Sequence, residues 1–188
     1  ENEKVSAILP VREFPEDEYV FFATAMGIVK KVQLSAFKNV SKVGIKAIAL
    51  KEGDSLVGVA RTSGCNDIML FSNLGKAIRF NEYWERSSDD EETGDDNDTE
   101  ISGSQEDDNA ESAPISGKHG VRPSGRGSGG LRGMRLPENG RIVSLITFAP
   151  ECEQSELQVL TATANGYGKR TPIADYSRKN KGGQGNIA

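Results

Sequence analysis

The sequence predicts an all-β array of propeller type, about three four-stranded units side by side, and three observations predict it. A Gly-centred motif recurs as Ala25-Met26-Gly27-Ile28-Val29-Lys30-Lys31, Ser72-Asn73-Leu74-Gly75-Lys76-Ala77-Ile78-Arg79 and Thr163-Ala164-Asn165-Gly166-Tyr167-Gly168-Lys169-Arg170. In each copy a Ser or Thr (Thr24, Ser72, Thr163) precedes the Gly by three positions, and a basic residue (Lys31, Arg79, Arg170) follows it by four. Each copy also sits in one frame: an apolar run opens it (Val5-Ser6-Ala7-Ile8, Val57-Gly58-Val59-Ala60, Val143-Ser144-Leu145-Ile146), and a loop rich in Gly and basic residues closes it. Gly27 and Gly75 lie 48 residues apart and Gly75 and Gly166 lie 91 apart, so the second unit carries an insertion. Units of about four short strands at a near-50-residue period stack as blades.

Taken in order, Val5 to Val11 reads as a buried strand that ends in the Pro- and Glu-rich loop 13–18. Tyr19 to Thr24 is rich in β-formers and pairs with Ile28 to Val32 through a turn at Gly27, where positive φ is required. Phe37 points inward from an irregular segment, and Ile45 to Leu50 closes the first repeat, residues 4–52. The second repeat, 53–136, has strand Leu56 to Arg61, the hairpin Ile68–Ser72 with Ala77–Phe80, and Trp84 as a core anchor. It resumes after the insertion with the loop 122–130 and strand Leu131 to Leu136. The third, 137–188, has strand Ile142 to Phe148, the hairpin Leu157–Thr163 with Tyr167–Pro172, inward Tyr176 and the loop 177–185. The chain starts at Glu1 with no initiating Met and stops mid-strand at Ala188, and is read as excised from something larger.

The net charge of −5 conceals a contrast. Ser87–Gly117 holds twelve acidic residues and no basic one; without them 16 acidic residues face 23 basic ones, a net of +7. Almost devoid of apolar side chains, that stretch cannot offset its ordering entropy and reads as a disordered insertion, residues 87–117, in a surface loop. A basic body points to a polyanionic partner, most simply nucleic acid; the insertion reads as a tolerated surface loop, since long loops cost little, the alternative being that it competes with that partner for the basic edge. No apolar run is long enough to span a membrane. Cys65 and Cys152 lack metal-ligand spacing and read as ordinary thiols, a disulfide between them being the alternative. One histidine, His119, leaves no Ser-His-Asp set, and no P-loop or dinucleotide fingerprint is present.

Chemistry therefore rests on the repeated cations. The loops supply Lys38, Lys42 and Lys46 in the first unit, Arg122, Arg126, Arg132 and Arg135 in the second, and Arg178, Lys179 and Lys181 in the third. The hairpins add Lys30, Lys31, Lys76, Arg79, Lys169 and Arg170. Equivalent positions recur on one edge of stacked blades, so these charges form a periodic track suited to a phosphate backbone. Glycines beside them let backbone N–H groups approach phosphates. No base-reading element stands out, so backbone and shape would set binding.

The stretches Phe21 to Lys31, Ile68 to Lys76, Leu131 to Leu136 and Leu160 to Thr171 together resemble the C-terminal domain of DNA gyrase A. The resemblance covers nearly all of the chain outside Arg86–His119. It implies a β-pinwheel, a propeller-like disc of six blades with swapped strand order, of which these would be the second to fourth, wrapping duplex DNA on a basic rim. It also implies a bacterial, cytoplasmic, nucleoid-associated enzyme in which the rest of gyrase A and its gyrase B partner complete a heterotetramer that introduces negative supercoils. No catalytic residue and no cofactor belong to this stretch; ATP and Mg would be used by other regions. The family's box Gln-Arg-Arg-Gly-Gly-Lys-Gly is absent, its nearest match being 179–185. The alternatives are the equivalent domain of topoisomerase IV and a propeller-type protein-interaction scaffold.

Overall fold

The computed structural model describes residues 4–39, 41–85, 120–150 and 157–188; the 87–117 insertion, His119 and Cys152 lie outside them. Three hairpins carry the recurring motif: β1 (Tyr19–Thr24) with β2 (Ile28–Gln33), β4 (Asp67–Ser72) with β5 (Lys76–Asn81), and β8 (Gln158–Ala162) with β9 (Gly168–Pro172). Their turns are the same. Gly27, Gly75 and Gly166 have φ of 82°, 69° and 83°, and each donates its N–H to the carbonyl of the Ser or Thr three residues back, at 2.9–3.1 Å. The hydroxyl of that residue accepts the N–H following the Gly at 3.2 Å in all three copies. A side-chain acceptor at one corner and a left-handed residue at the other explain why the motif needs both residue types.

The hairpins are centres of larger sheets. One sheet has the order β3-β1-β2-β6, where β3 is Leu56–Thr62 and β6 is Leu131–Arg132. The next has the order β10-β5-β4-β7, where β7 is Ile142–Phe148 and β10 is Asn186–Ile187. Each sheet thus takes its hairpin from one repeat and its two flanking strands from the following repeat, the swapped order that the resemblance implied. Among the described residues β8–β9 remains a two-stranded sheet.

The same exchange corrects three expectations. Val5–Val11 and Ile45–Leu50 form no ladder among the described residues, and the expected strand Leu131–Leu136 shortens to Leu131–Arg132. An opening or closing strand needs the preceding repeat's hairpin as its partner, and the described residues hold none beside the first two segments.

Stacking places cores between sheets. Phe21, Ala23 and Val29 face Ile68, Leu70, Ile78 and Phe80, with Met134 and Ile142 completing the cluster. Met69, Phe71 and Ala77 on the second sheet's other face pack on Val159, Ile173 and Tyr176, and Tyr176 meets Phe71 edge-on at 6.1 Å. Val20, Phe22, Val32 and Leu34 gather Leu9, Val11, Phe14 and Phe37. With both faces covered, β1 and β4 carry continuous apolar runs in place of alternation. Trp84, expected in the core, is half-buried and carries the Arg122 guanidinium 5.7 Å from its ring centre.

Candidate functional site

The sixteen cations named from the sequence divide by burial. Lys38, Lys42, Lys46, Arg122, Arg132, Arg135, Lys169 and Arg170 are exposed, and Lys76, Arg126, Lys179 and Lys181 are half-buried. Lys30, Lys31, Arg79 and Arg178 are not surface charges: they are 1%, 2%, 3% and 9% exposed. For these four, burial leaves little surface that a phosphate could reach. They lie between covered faces and donate inward.

Their partners show what they do. Lys31 Nζ donates to the Glu82 carbonyl at 2.8 Å, stands 3.9 Å from its carboxylate and lies 5.0 Å from the Tyr19 ring centre. Burial pushes the Lys31 pKa down, partly opposed by Glu82, and pushes the Glu82 carboxyl up, partly opposed by Lys31. Arg79 Nε and Nη2 donate to Asp67 Oδ2 at 2.8 and 2.5 Å, while Nη1 donates to the Ile173 and Tyr176 carbonyls at 3.2 and 3.0 Å. Arg178 Nε donates to the same carboxylate at 2.9 Å, and Asn81 Nδ2 donates to Asp67 Oδ1 at 2.8 Å. The pattern repeats: the cation four residues past each of the first two turn glycines donates to the carbonyl seven past the next turn glycine, Glu82 or Ile173. These are clamps between repeats. Asp67 and Glu82, which complete them, stand outside the recurring motif and were not expected from it. For Asp67 a usable signal was an acidic residue opening a strand otherwise buried along its length.

Eight of the remaining twelve cations lie on loops that are joined in series. The Ala49 N–H donates to the Ser128 carbonyl at 3.1 Å, tying the 41–50 segment to the 122–130 loop. Gly182 N–H donates to the Gly133 carbonyl and Arg135 N–H to the Gly183 carbonyl, both at 2.8 Å, tying the 178–185 loop to the 131–136 segment. Lys42 and Lys46, then Arg122, Arg126, Arg132 and Arg135, then Lys179 and Lys181 therefore sit on one chain of contacting loops. Burial lowers the Lys181 pKa. Lys76, Lys169 and Arg170 belong to the hairpins. Among the described residues no group of three or more His, Cys, Asp or Glu side chains could hold a metal, no helix is long and apolar enough to cross a membrane, and Cys65 is an exposed free thiol.

Stacked sheets with exchanged strands, clamped by buried cations and edged by joined basic loops, define a propeller-type repeat protein. The chain belongs to the family described as the DNA gyrase C-terminal domain, beta-propeller, which matches residues 18–63, 66–83, 119–149 and 158–188. It is 78% identical over its whole length to 21% of the DNA gyrase A protein from Neisseria gonorrhoeae. It is 47% identical over 98% of its length to 21% of the Aeromonas salmonicida protein, and 37% identical over all of it to 17% of the Escherichia coli K12 protein. The chain thus spans about a fifth of these relatives. A topoisomerase IV C-terminal domain superposes with a TM-score of 0.69 at 23% identity, covering 95% of this chain and 43% of that one. A DNA gyrase A C-terminal domain superposes at 0.62 and 22%, covering 93% and 44%. At those identities the superpositions establish the fold. Between the two topoisomerases, the closer sequence likeness is to gyrase.

Proposed function

We propose that the chain binds duplex DNA without sequence preference along the joined basic loops, bending it as a wrapping module of a gyrase-type topoisomerase. The single observation that carries this is the series of backbone hydrogen bonds from Ala49–Ser128 to Gly133–Gly182, which turns the basic loops of three repeats into one track. A continuous row of Lys and Arg neutralises successive phosphates and releases counterions, and it reads no base edges. In this reading the chain has no catalytic residue and needs no cofactor. Strand cleavage and ATP hydrolysis with Mg belong to the rest of gyrase A and to its gyrase B partner in a bacterial, cytoplasmic heterotetramer.

The test is an anisotropy titration of random-sequence duplex DNA at several salt concentrations. Affinity should fall steeply with salt, and neutralising Lys46, Arg122 and Arg132 together should flatten the slope by about 0.9 for each phosphate that goes unpaired. Binding that is indifferent to salt, or confined to an acidic protein partner, would overturn the reading in favour of a protein-interaction scaffold.

A further inference from the structure

Among the described residues, Lys30 is the one buried cation of the hairpins that pairs with no carboxylate. Its ammonium donates three hydrogen bonds, all to backbone carbonyls: Ala47 at 3.1 Å, Arg126 at 2.6 Å and Ser128 at 2.9 Å. An ammonium has three donors, so the set is complete. The acceptors come from two repeats, Ala47 from the basic segment 41–50 and the others from the basic loop 122–130. Around this post the loop has further anchors. Ser124 N–H donates to the Lys31 carbonyl at 2.9 Å, and Gly130, at φ 93°, lies so close to β2 that a Cβ would stand 2.6 Å from the Val29 carbonyl oxygen. In the second hairpin the equivalent position is Ile78, an apolar core residue with no ammonium to donate to the loop; the loop there is held by backbone bonds such as Gly182 N–H to the Gly133 carbonyl. Among the described residues the post is thus particular to the first pair of repeats. Bringing two basic segments together costs repulsion, and Lys46 is near enough for its charge, after burial, to help lower the Lys30 pKa to about 8.

We propose that Lys30 is a positioning residue which fuses the basic segment of the first repeat and the basic loop of the second into one composite phosphate-binding surface, with Lys46 on one side and Arg126 and Arg122 on the other. The inference rests on the duplex-binding reading above. Lys30 itself touches no phosphate. Its three carbonyl bonds fix where neighbouring charges stand, and without them the loop drifts from the segment and several phosphates go unpaired together.

The test is a cycle in the intact protein: Lys30→Met, the double variant Lys46→Ala with Arg126→Ala, and their combination, each titrated with random-sequence duplex across salt. The expected result is a Lys30→Met salt slope flattened by more than the ~0.9 that a single phosphate accounts for, with the effect largely absent in the Lys46/Arg126 background. A change worth one phosphate or less, or an equal change in both backgrounds, overturns the proposal, because a direct contact or a general loss of structure behaves that way. Should Lys30→Met fail to fold, Gly130→Ala displaces the loop without removing a charge and should flatten the slope in the same direction; an unchanged slope there overturns the proposal. Hydrogen exchange without DNA separates the two readings. Faster exchange of the Ser128 and Ala49 amides in Lys30→Met, by about tenfold, supports the post even if no duplex binds, whereas unchanged exchange overturns it.

Discussion

The second and third hairpins are built alike and end differently. Both turn at a left-handed Gly after a Ser or Thr, and both carry an arginine four residues on, Arg79 and Arg170. Around β4–β5 stand β7 and β10 on its edges and a packed sheet on each face. Arg79 is consequently sealed in with Asp67 and Arg178. Around β8–β9 only one face is covered among the described residues: Val159 is buried while Leu160 and Tyr167 are 69% and 77% exposed, and Arg170 is exposed. A repeated charge thus has no fixed role. What stands against its strand decides whether it is an internal clamp or a surface cation, because desolvation is severe between sheets and slight at an edge.

The strongest way to break that comparison is to remove the clamp's anion. Asp67→Ala leaves two guanidinium groups buried without their carboxylate and should cost about 3–5 kcal/mol, seen as a lower denaturant midpoint, while Arg170→Ala should stay within about 0.5 kcal/mol. Next come the turn glycines. Gly27→Ala must accommodate both a positive φ and a Cβ 2.5 Å from the Met134 carbonyl oxygen, whereas Gly75 and Gly166 have nothing within 4 Å. Ala at the latter two should cost about 1–2 kcal/mol from backbone strain alone, and Gly27→Ala clearly more, in the same unfolding assay. A further contrast, between the acidic stretch and the basic loops, is tested by deleting Ser87–Gly117. Duplex affinity should rise severalfold at low salt and converge with the parent at high salt, since an intramolecular polyanion competes only where charges are unscreened; equal affinity at every salt would rule the competition out.

The smallest effect is one of pH. Burial holds the Lys30 pKa near 8, below its ordinary 10.5. The folded state therefore bears the penalty of a buried charge below about pH 8 and loses it as the lysine deprotonates, so stability contributed by this group rises between pH 8 and 10.5. Comparing the midpoints of the parent and Lys30→Met across that window isolates it: the parent should gain relative to the variant as pH increases.

Local structure is written plainly in the residues. Thr24, Ser72 and Thr163 with their glycines mark all three turns, and the β-rich runs beside them give the hairpins within a residue or two. The basic loops, too, stand where the sequence puts them, because Gly with Lys or Arg reads as loop regardless of context. The swapped strand order came from the resemblance and not from periodicity, which cannot say whether a closing strand pairs within its own repeat. Sequence reasoning puts Lys30, Lys31, Arg79 and Arg178 on the rim because a charge in a repeat is ordinarily a solvated one. The signal against it is present: Val20-Phe21-Phe22-Ala23 and Ile28-Val29 are apolar at both parities, and a strand without a solvent face offers its lysines nowhere wet to go.

By itself, then, the sequence determined what short-range chemistry controls: three Ser/Thr–Gly turns, the strands they join and the separation of acidic from basic stretches. Which hairpin edge each flanking strand occupies, which cations became clamps and which stayed in the loop track were decided only in the tertiary structure. Hydrogen-bond completion is a property of neighbours far apart in the chain, such as Lys30 with Ser128 and Asp67 with Arg178, and no local pattern names those partners.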